Sequence, residues 1–382
     1  MRCRPGILSL PTKIILLTAI TATICFFIYI LFLPKGTGKE FEDIGLEPHM
    51  PTPEEVRGIY VTSFTAADPE LRADIVALVE RTDLNAMVID IKDAYGYLAF
   101  EPKRDTFDGI PRSNIQIDGI EEWLEELNDK GIYTIARMTV FQDTALAETH
   151  PEYAVRKKSG GIWRDWQGKA WIDPGCEEAW EYIADQAREI YDLGFDEVNF
   201  DYIRFPSDGP LSDISYSYHR SERRKYETMA EFFAWIDSRL HYLPMPVSID
   251  IFGLTYIKQN QDDDMNIGQR IADTVGHFDY ICPMVYASHY SEGFFGFENP
   301  AEHPYEVVRE SLEAGHEIMA EYGGVPTQSR PWLQDFDMGA DYGVKKVREQ
   351  IKASREMGAS GWVFWNARNA YTEEAFYNLD EI

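Results

Sequence analysis

The stretch DEVNFDYIRFPSD, from Asp196 to Asp208, concentrates side chains that could do acid–base chemistry. Its apolar run ends on Asn199, Asp201 and Arg204, just before a proline and a polar loop. Burying a charged group without partners is costly, so polar side chains at the end of a buried strand have little structural reason to be there. A carboxylate in this position could transfer a proton or act as a nucleophile.

Other apolar runs end in the same way. Because alternate residues of a strand point to one face, certain polar groups are expected to lie side by side. The pairs are Asp90 with Lys92, Arg137 with Thr139, Asn199 with Asp201, and Ser248 with Asp250. Later runs end on Tyr286, Gln334, Asp335, Trp365 and Asn366. Strands that served only a core would carry valine, isoleucine or leucine at many of these positions, so the pattern predicts a shared polar cleft.

The elements that carry these groups alternate regularly. Eight apolar runs cover residues 57–65, 85–93, 133–141, 196–205, 246–253, 279–289, 330–336 and 361–369. Between and after them, helical periodicity covers residues 69–82, 118–130, 177–193, 222–243, 267–275, 305–322, 342–357 and 372–379. This alternation predicts an α/β fold in which a parallel sheet closes into a (β/α)8 TIM barrel. Catalytic groups of such barrels lie at the C-terminal ends of the strands.

The connections between these elements are unequal in length. Helix-to-strand links are brief, whereas the strand-to-helix links 94–117, 142–176, 206–221 and 288–304 are long. Structural connections usually take only a few residues, so long loops gathered at one end of a barrel indicate a substrate cleft.

The N-terminal region predicts attachment to a membrane. Residues 14–33 form an uncharged apolar run that is long enough to span a bilayer, and Arg2, Arg4 and Lys13 precede it. We expect an uncleaved signal anchor within residues 1–35, a flexible linker over 36–55, and an extracytoplasmic barrel domain over 56–382. The alternative is a long signal peptide that is removed.

Charge and motif content limit the possible partners. The formal net charge of −29 argues against nucleic-acid binding and is compatible with neutral or cationic substrates. Phosphate-loop, dinucleotide, HExxH and C-x-x-C motifs are absent, and His289 and His303 lack a further residue at metal-ligand spacing. We therefore predict no cofactor and no metal site. Cys176 and Cys282 are expected to be separate buried thiols.

Aromatic residues gather in or beside the strand-to-helix links. They are Trp163, Trp166, Trp171, Tyr286, Tyr290, Trp332 and Trp365. Sugar rings present apolar C–H faces that stack on such side chains, so these residues predict a carbohydrate cleft. The alternative is that the aromatic rings pin the long loops to the barrel.

Several motifs together resemble the DUF4015 family of TIM-barrel glycoside hydrolases. They are VIDIKDAYG, ARMTVF, GGIWRDWQGKAWIDP, GFDEVNFDYIRFPSDG, SIDIFG, IGQRI, CPMVYASHY, RPWLQDF and WNARNAYT, and the resemblance covers nearly everything from Arg57 to Tyr371. The resemblance implies the barrel fold and, by analogy, the cleavage of glycosidic bonds. The W-x-D-P element at Trp171, Asp173 and Pro174 is similar to one in sugar hydrolases that act on cell-surface glycans.

The resulting hypothesis is a membrane-anchored glycoside hydrolase that acts on a carbohydrate polymer or oligosaccharide of the cell envelope or the exterior. Such an enzyme needs two carboxyl groups, for which Asp201 and Asp250 are the best placed pair. Their positions are similar to those of the nucleophile and the acid in α-amylase-like barrels, where Asp335 would match the third carboxylate. Those barrels generally use glutamate as the acid, so Asp90 remains a reserve candidate.

Further residues are expected to contact the substrate. They are Asp90, Lys92, Arg137, Asn199, Arg204, Tyr286, His289, Gln334, Trp365 and Asn366. Structural alternatives remain for three sites: Asp90 and Lys92 as an internal pair, Arg137 as a support for a carboxylate, and Arg204 as a cap for loop carbonyls. A non-catalytic glycan-binding barrel is the rival function. A polysaccharide deacetylase is disfavoured because the sequence lacks a metal-ligand cluster.

Overall fold

The computed structural model describes residues 45–258, 260 and 262–382. The predicted anchor and most of the predicted linker therefore lie outside the described residues. Within these ranges, no helix combines the length and apolar character needed to cross a membrane.

Eight parallel strands close into a barrel, which confirms the predicted architecture. They are β1 Val56–Val61, β2 Ala86–Asp90, β3 Tyr133–Thr139, β4 Glu197–Asp201, β5 Val247–Phe252, β6 Tyr280–Met284, β7 Trp332–Gln334 and β8 Gly361–Trp365. Each strand pairs with its neighbours in the chain, and β8 closes the barrel on β1 with Val56 opposite Gly361. The C-terminal ends of all eight strands consequently meet at one mouth.

Helices surround the barrel. They are α1 Ser63–Ala67, α2 Pro69–Arg81, α3 Ile120–Asp129, α4 Thr144–Thr149, α5 Glu177–Leu193, α6 Lys225–Leu240, α7 Ile271–Thr274, α8 Pro304–Glu321 and α9 Val344–Glu356. A two-stranded antiparallel sheet, Arg156–Lys157 with Ile214–Ser215, joins the loops that follow β3 and β4. The sequence pattern did not predict this small sheet.

Two predicted helices are shorter than expected. The segment 267–275 contains only the single turn α7, because Gly268 has a φ of +81° and delays the helical conformation. The segment 372–379 forms 3-10 turns at Glu373–Phe376 and Leu379–Glu381 instead of an α-helix. Asn378 has a φ of +52° and separates these two turns.

The passage from α5 into β4 places the central site residue. Trp180, Ile183 and Ile190 lie on the buried face of α5. The helix ends at Gly194, whose φ of +108° allows its N–H to donate to the carbonyls of Ile190 and Tyr191. The chain then turns into β4, which is buried along its whole length and ends at Asp201.

An ion pair lies within the N-terminal end of the barrel. Arg330 Nη1 lies 2.7 Å from Glu197 Oε1, and Tyr133 donates to the same carboxylate at 3.2 Å. The Arg330 guanidinium also lies 3.8 Å from the ring centre of Tyr280. Because both charged groups are buried, removing either one would leave an uncompensated charge, so the pair holds this end of the barrel together.

Candidate active site

Charged side chains from four neighbouring strands meet at the barrel mouth. Asp90 ends β2, Arg137 lies near the end of β3, Asp201 ends β4, and Asp250 lies in β5. Asp90 is directly opposite Arg137 in the strand register. The sequence analysis therefore identified the four residues that the tertiary structure brings together here.

Arg137 is the centre of this group. Its Nη1 lies 2.5 Å from Asp90 Oδ1, its Nη2 donates to Asp201 Oδ2, and its Nε lies 3.9 Å from Asp250 Oδ2. Burial opposes the charged form, but the attraction of the three carboxylates raises the pKa of Arg137 well above its usual range. The guanidinium therefore stays charged and orients the carboxylates around it, as the structural alternative for Arg137 expected.

Asp250 lies deepest of the three carboxylates. Its side chain is 1% exposed, and its Oδ1 accepts hydrogen bonds from Asn199 Nδ2 at 2.9 Å and Trp332 Nε1 at 2.6 Å. Burial raises the pKa of Asp250 well above its ordinary value, and repulsion from Asp201 raises it further. Arg137 and the two donors only partly oppose this effect. These surroundings favour the protonated carboxylic acid.

Asp201 has different surroundings. One oxygen accepts from the Arg137 guanidinium and the other accepts from the backbone N–H of Tyr202 at 2.6 Å. A cation and a backbone amide both stabilise a negative charge. Tyr202 has a φ of +50°, so the chain bends sharply directly after Asp201. The bend ends the strand and leaves the Asp201 carboxylate at the mouth of the barrel.

Asp90 is held by a residue that the sequence analysis missed. The hydroxyl of Tyr60, in β1, donates to Asp90 Oδ2, and the Tyr60 ring centre lies 5.7 Å from the Arg137 guanidinium. Burial raises the pKa of Asp90 above its ordinary value, against the opposing effect of Arg137. Tyr60 could have been found from the sequence, because it lies next to the end of β1 and the other strands also carry polar groups near their ends.

Aromatic side chains lie along one side of the mouth. Trp365 lies 6.3 Å from Tyr60, 5.8 Å from Tyr286 and 5.2 Å from Phe336, measured between ring centres. His289 lies 5.3 Å from Tyr286 and is exposed. Tyr286 and Trp365 are only half-buried, so their ring faces remain available to a sugar.

Lys92 lies away from this site, which corrects the expectation that it shares a face with Asp90. It is fully buried, with its ammonium 2.7 Å from Asp143 Oδ2, and it donates to Gln186 in α5 at 3.2 Å. The physical reason is that β2 ends at Asp90, so strand alternation no longer applies two residues later. Lys92 instead joins the barrel to a surrounding helix.

Asp335 and Gln334 also have structural surroundings. The Asp335 carboxylate accepts from the backbone N–H and the hydroxyl of Thr372, each at 2.7 Å. The Gln334 side chain donates to the carbonyl of Phe336 at 2.9 Å and accepts from the N–H of Ser288 at 3.2 Å. The strand β7 ends at Gln334, so strand alternation no longer fixes the direction of Asp335, which faces the loop that carries Thr372. The expected third carboxylate is therefore not part of the Arg137 group.

Asn366 and Arg204 stabilise loops. Asn366 Nδ2 donates to the carbonyls of Asp335 and Ala370. Arg204 donates to the carbonyl of Phe205 at 3.1 Å and to Ser207 Oγ at 3.0 Å, as its structural alternative expected. Burial lowers the pKa of Arg204. Both residues therefore support the loops that border the cleft.

The W-x-D-P element joins two of the long loops. Asp173 accepts hydrogen bonds from the backbone N–H groups of Gly175 at 3.0 Å, and of Ser217 and Tyr218 at 2.8 Å. Trp163 and Trp171 are fully buried, so these two tryptophans pin loops to the barrel as the alternative interpretation proposed. Among the described residues, no group of three or more His, Cys, Asp or Glu side chains is arranged to hold a metal ion.

A closed (β/α)8 barrel with carboxylates in unequal surroundings at the C-terminal ends of its strands is an arrangement that TIM-barrel glycoside hydrolases use. This chain belongs to the DUF4015 family, described as "Putative glycosyl hydrolase domain", whose profile matches residues 58–371. It is therefore a glycoside hydrolase by family. A search of curated protein sequences found no relative.

Two solved glycoside hydrolase structures share the fold. The PgaB (BpsB) glycoside hydrolase domain from Bordetella bronchiseptica has 14% identity and a TM-score of 0.60, with 85% of this chain and 98% of that one covered. An alpha-galactosidase from Thermus thermophilus has 13% identity and a TM-score of 0.52, covering 86% and 64% respectively. A hypothetical protein from Ruminiclostridium thermocellum has 32% identity and a TM-score of 0.45, covering 50% and 96%.

Proposed function

We propose that this protein is an exported, membrane-anchored glycoside hydrolase that cleaves a cell-envelope or extracellular polysaccharide with Asp201 and Asp250. The observation that carries the proposal is the Arg137 guanidinium, which lies between two carboxylates in different surroundings. Asp250 is sealed among neutral donors, whereas Asp201 lies beside the cation and keeps a partly exposed side chain. Glycosidic hydrolysis requires one carboxyl group in each of these states.

In the proposed reaction, Asp250 gives its proton to the glycosidic oxygen as the bond from that oxygen to the anomeric carbon breaks. The Asp201 carboxylate either bonds to the anomeric carbon or takes a proton from the water that attacks that carbon. If the bond forms, water then displaces Asp201 from the anomeric carbon and gives its proton to Asp250. In both cases water supplies the new hydroxyl group, and a water-derived proton restores the protonated Asp250. Arg137 remains charged throughout and keeps Asp201 in orientation.

Asp90 is the second candidate for the acid, because its side chain is 13% exposed whereas that of Asp250 is 1% exposed. A proton donor must reach the glycosidic oxygen, and greater exposure makes this contact easier. Substitutions of the two residues distinguish these assignments, as described in the Discussion.

The aromatic side of the mouth supports a sugar as the substrate. The half-buried rings of Tyr286 and Trp365 provide apolar faces beside the carboxylates. The location of the enzyme is proposed from the apolar run 14–33 and its basic flank, which favour a barrel outside the cytoplasm. A polymer of the envelope or the exterior is the carbohydrate that such an anchored enzyme would meet.

The test is to incubate the full-length protein with a panel of bacterial exopolysaccharides and cell-wall glycans and to identify the products by mass spectrometry. We expect new reducing ends from the wild type. The substitution Asp201→Asn should lower turnover by about 10³-fold or more while leaving the fold intact, since asparagine keeps the size and an acceptor oxygen.

Asp208→Asn is the matched control, because Asp208 is an exposed carboxylate in the loop that follows the same strand. It should keep near-normal turnover. If Asp201→Asn also kept normal turnover, the assignment of Asp201 would be wrong. Glycan binding by the wild type without any product would support the rival function, a non-catalytic glycan-binding barrel.

A further inference from the structure

A rigid turn in the loop after β3 displays an exposed tryptophan. Trp166 is 75% exposed, and the preceding Asp165 fixes the turn around it. Asp165 Oδ1 accepts from the backbone N–H groups of Gln167 and Lys169, at 2.9 and 3.0 Å, and its Oδ2 accepts from Trp171 Nε1 at 3.1 Å. These hydrogen bonds fix the turn, so the apolar side chain of Trp166 stays exposed to solvent, where it can contact a ligand.

Lys169, at the end of this turn, is a buried cation without an anionic partner. It is only 8% exposed, and within the described part of the chain no carboxylate forms an ion pair with its ammonium and no acceptor forms a hydrogen bond with it. The ammonium lies 5.5 Å from the ring centre of Tyr95, which is itself 44% exposed. The Lys169 nitrogen itself still reaches solvent.

Lys92 is a buried lysine with a structural role, and its contacts can be compared with those of Lys169. Lys92 is paired with Asp143 at 2.7 Å and bonded to Gln186. Burying an ammonium is costly unless an opposite charge compensates it. Among the described residues, no carboxylate lies within ion-pair distance of Lys169, and Asp165, Asp93 and Asp208 act on it only from farther away. An anionic group of a ligand would supply the missing close partner.

The turn lies next to the candidate active site. The Trp171 ring centre is 5.8 Å from that of Tyr202, the residue that follows Asp201. Burial lowers the pKa of Lys169, and although Asp165, Asp93 and Asp208 oppose this effect, Arg137 is near enough to add to it. Lys169, whose ammonium lies over the Tyr95 ring, is therefore on the side of the mouth formed by the loops after β2 and β3.

We propose that Lys169, Tyr95 and Trp166 form a subsite for an acidic sugar residue, a unit that carries a carboxylate or a sulfate. The ammonium pairs with the anionic group, and the exposed aromatic rings contact the apolar face of the sugar. This inference rests on the proposed function, because it names the substrate class of that same cleft. The net charge of −29 disfavours non-specific binding of polyanions, so such binding would have to come from a local site.

The experiment is affinity electrophoresis of the full-length Asp201→Asn protein in gels that contain a soluble polymer. Hyaluronate, alginate and polygalacturonate are each compared with their carboxyl-reduced neutral form, and dextran sulfate is compared with dextran. We expect at least one polyanion to retard the protein more strongly than its neutral partner does. The carboxylate and sulfate arms identify which group is recognised.

Variants then locate the binding. Adding Lys169→Gln should weaken binding of the retarding polyanion by about tenfold or more, whereas Lys169→Arg should retain most of it. The control Lys352→Gln removes the same charge from the exposed surface of α9 and should bind like its parent. Trp166→Ala, at an exposed tip, should also weaken binding, and it supplies the result should Lys169→Gln fail to fold.

Three outcomes would overturn the subsite: equal retardation by charged and neutral partners, no retardation by any polyanion, or unchanged binding by both the Lys169→Gln and the Trp166→Ala proteins. Release of reducing ends by the wild type from a neutral glycan would still support the proposed function in those cases. Conversely, Lys169-dependent binding of a polyanion without product release would support the subsite and contradict the hydrolase.

Discussion

At the scale of single residues, the cleft gives chemically identical side chains different properties. Asp201 and Asp250 both contact Arg137, but a backbone amide completes the surroundings of Asp201, whereas Asn199 and Trp332 enclose Asp250. Acid-assisted cleavage of a glycosidic bond requires carboxyl groups in unlike surroundings, and burial raises the pKa of Asp250. The contacts thus assign a role to each aspartate that residue type alone leaves open.

The loss of turnover on removing the proposed acid should depend on the leaving group of the substrate. Asp250→Asn should lower turnover of a natural glycan by about 10²–10⁴-fold, because the leaving sugar then departs without a proton. A dinitrophenyl glycoside of the same sugar, whose leaving group needs no proton, should lose far less. Steady-state rates of the variant on both substrates measure this difference.

The same measurement decides whether Asp90, the reserve candidate, is the acid instead of Asp250. If Asp250→Asn lost both activities equally while Asp90→Asn retained only the dinitrophenyl glycoside, Asp90 would be the acid. Each variant needs a circular dichroism spectrum like that of the wild type, because both carboxylates also contact Arg137.

The raised pKa of Asp250 should also change how the free energy of unfolding depends on pH. Burial raises the pKa of this carboxyl above the value of about 3.9 that it has in an unfolded chain. The folded state therefore holds the proton more tightly, so the stabilising contribution is complete below about pH 3.9 and is lost as the pH rises through the folded-state pKa. Relative to the wild type, Asp250→Asn should become more stable with rising pH.

Urea unfolding of both proteins across that range measures the effect. The free energy of unfolding of the wild type should fall more steeply with pH than that of the variant. A difference that stays constant with pH would mean that Asp250 has an ordinary proton affinity in the folded protein.

At the scale of elements, the junction between α5 and β4 decides where Asp201 lies. Gly194 has a φ of +108°, a conformation that L-residues rarely adopt. A Cβ built there would meet Leu124 at 3.8 Å, an ordinary contact, so the cost of a side chain would come from the backbone alone. Gly194→Ala should lower the free energy of unfolding by about 1–2 kcal/mol.

Chemical denaturation checks this value, and turnover of the folded variant should be unchanged because the residue lies at the opposite end of β4 from Asp201. Gly343→Ala is the control: its φ is −125° and a Cβ there has nothing within 4 Å, so no comparable loss is expected. Equal losses in the two variants would show that backbone strain at Gly194 is not the cause.

At the scale of the whole molecule, we expect the apolar run and the barrel to have separate roles. We expect residues 14–33 to anchor the protein with the barrel outside the cytoplasm, because basic residues precede the run. Protease added to intact cells or spheroplasts should digest the barrel while a cytoplasmic marker survives. A barrel that is digested only after lysis would contradict this orientation.

Net charge at this scale does not determine what the cleft binds. The value of −29 is compatible with neutral or cationic substrates, yet Lys169 presents an ammonium that has no close ion-pair partner among the described residues. Opposite charges act over a few ångströms in a partly buried site, whereas surface charges farther away are screened by salt. A local site can therefore select an anionic group on a strongly acidic protein.

The barrel and the polar mouth at one end of it could be predicted from the sequence alone. Strand and helix periodicity depend on local spacing, and loop length is visible directly, so the eight-fold alternation and the long strand-to-helix links could be predicted. Asp90, Arg137, Asp201 and Asp250 could be found for the same reason, since each lies within a strand where alternation holds.

Only the tertiary structure decided which polar groups meet. Lys92 and Asp335 lie just beyond strand ends, where side-chain direction depends on the neighbouring loop and helix, and both contact the scaffold instead of the Arg137 group. Tyr60 and Lys169 were missed as functional candidates, because the role of each depends on residues far away in the chain. Trp332 was expected to line a sugar cleft, but its hydrogen bond to Asp250 could not be predicted. Alternation predicts the face of a strand, but contact between strands and loops is a property of the folded chain.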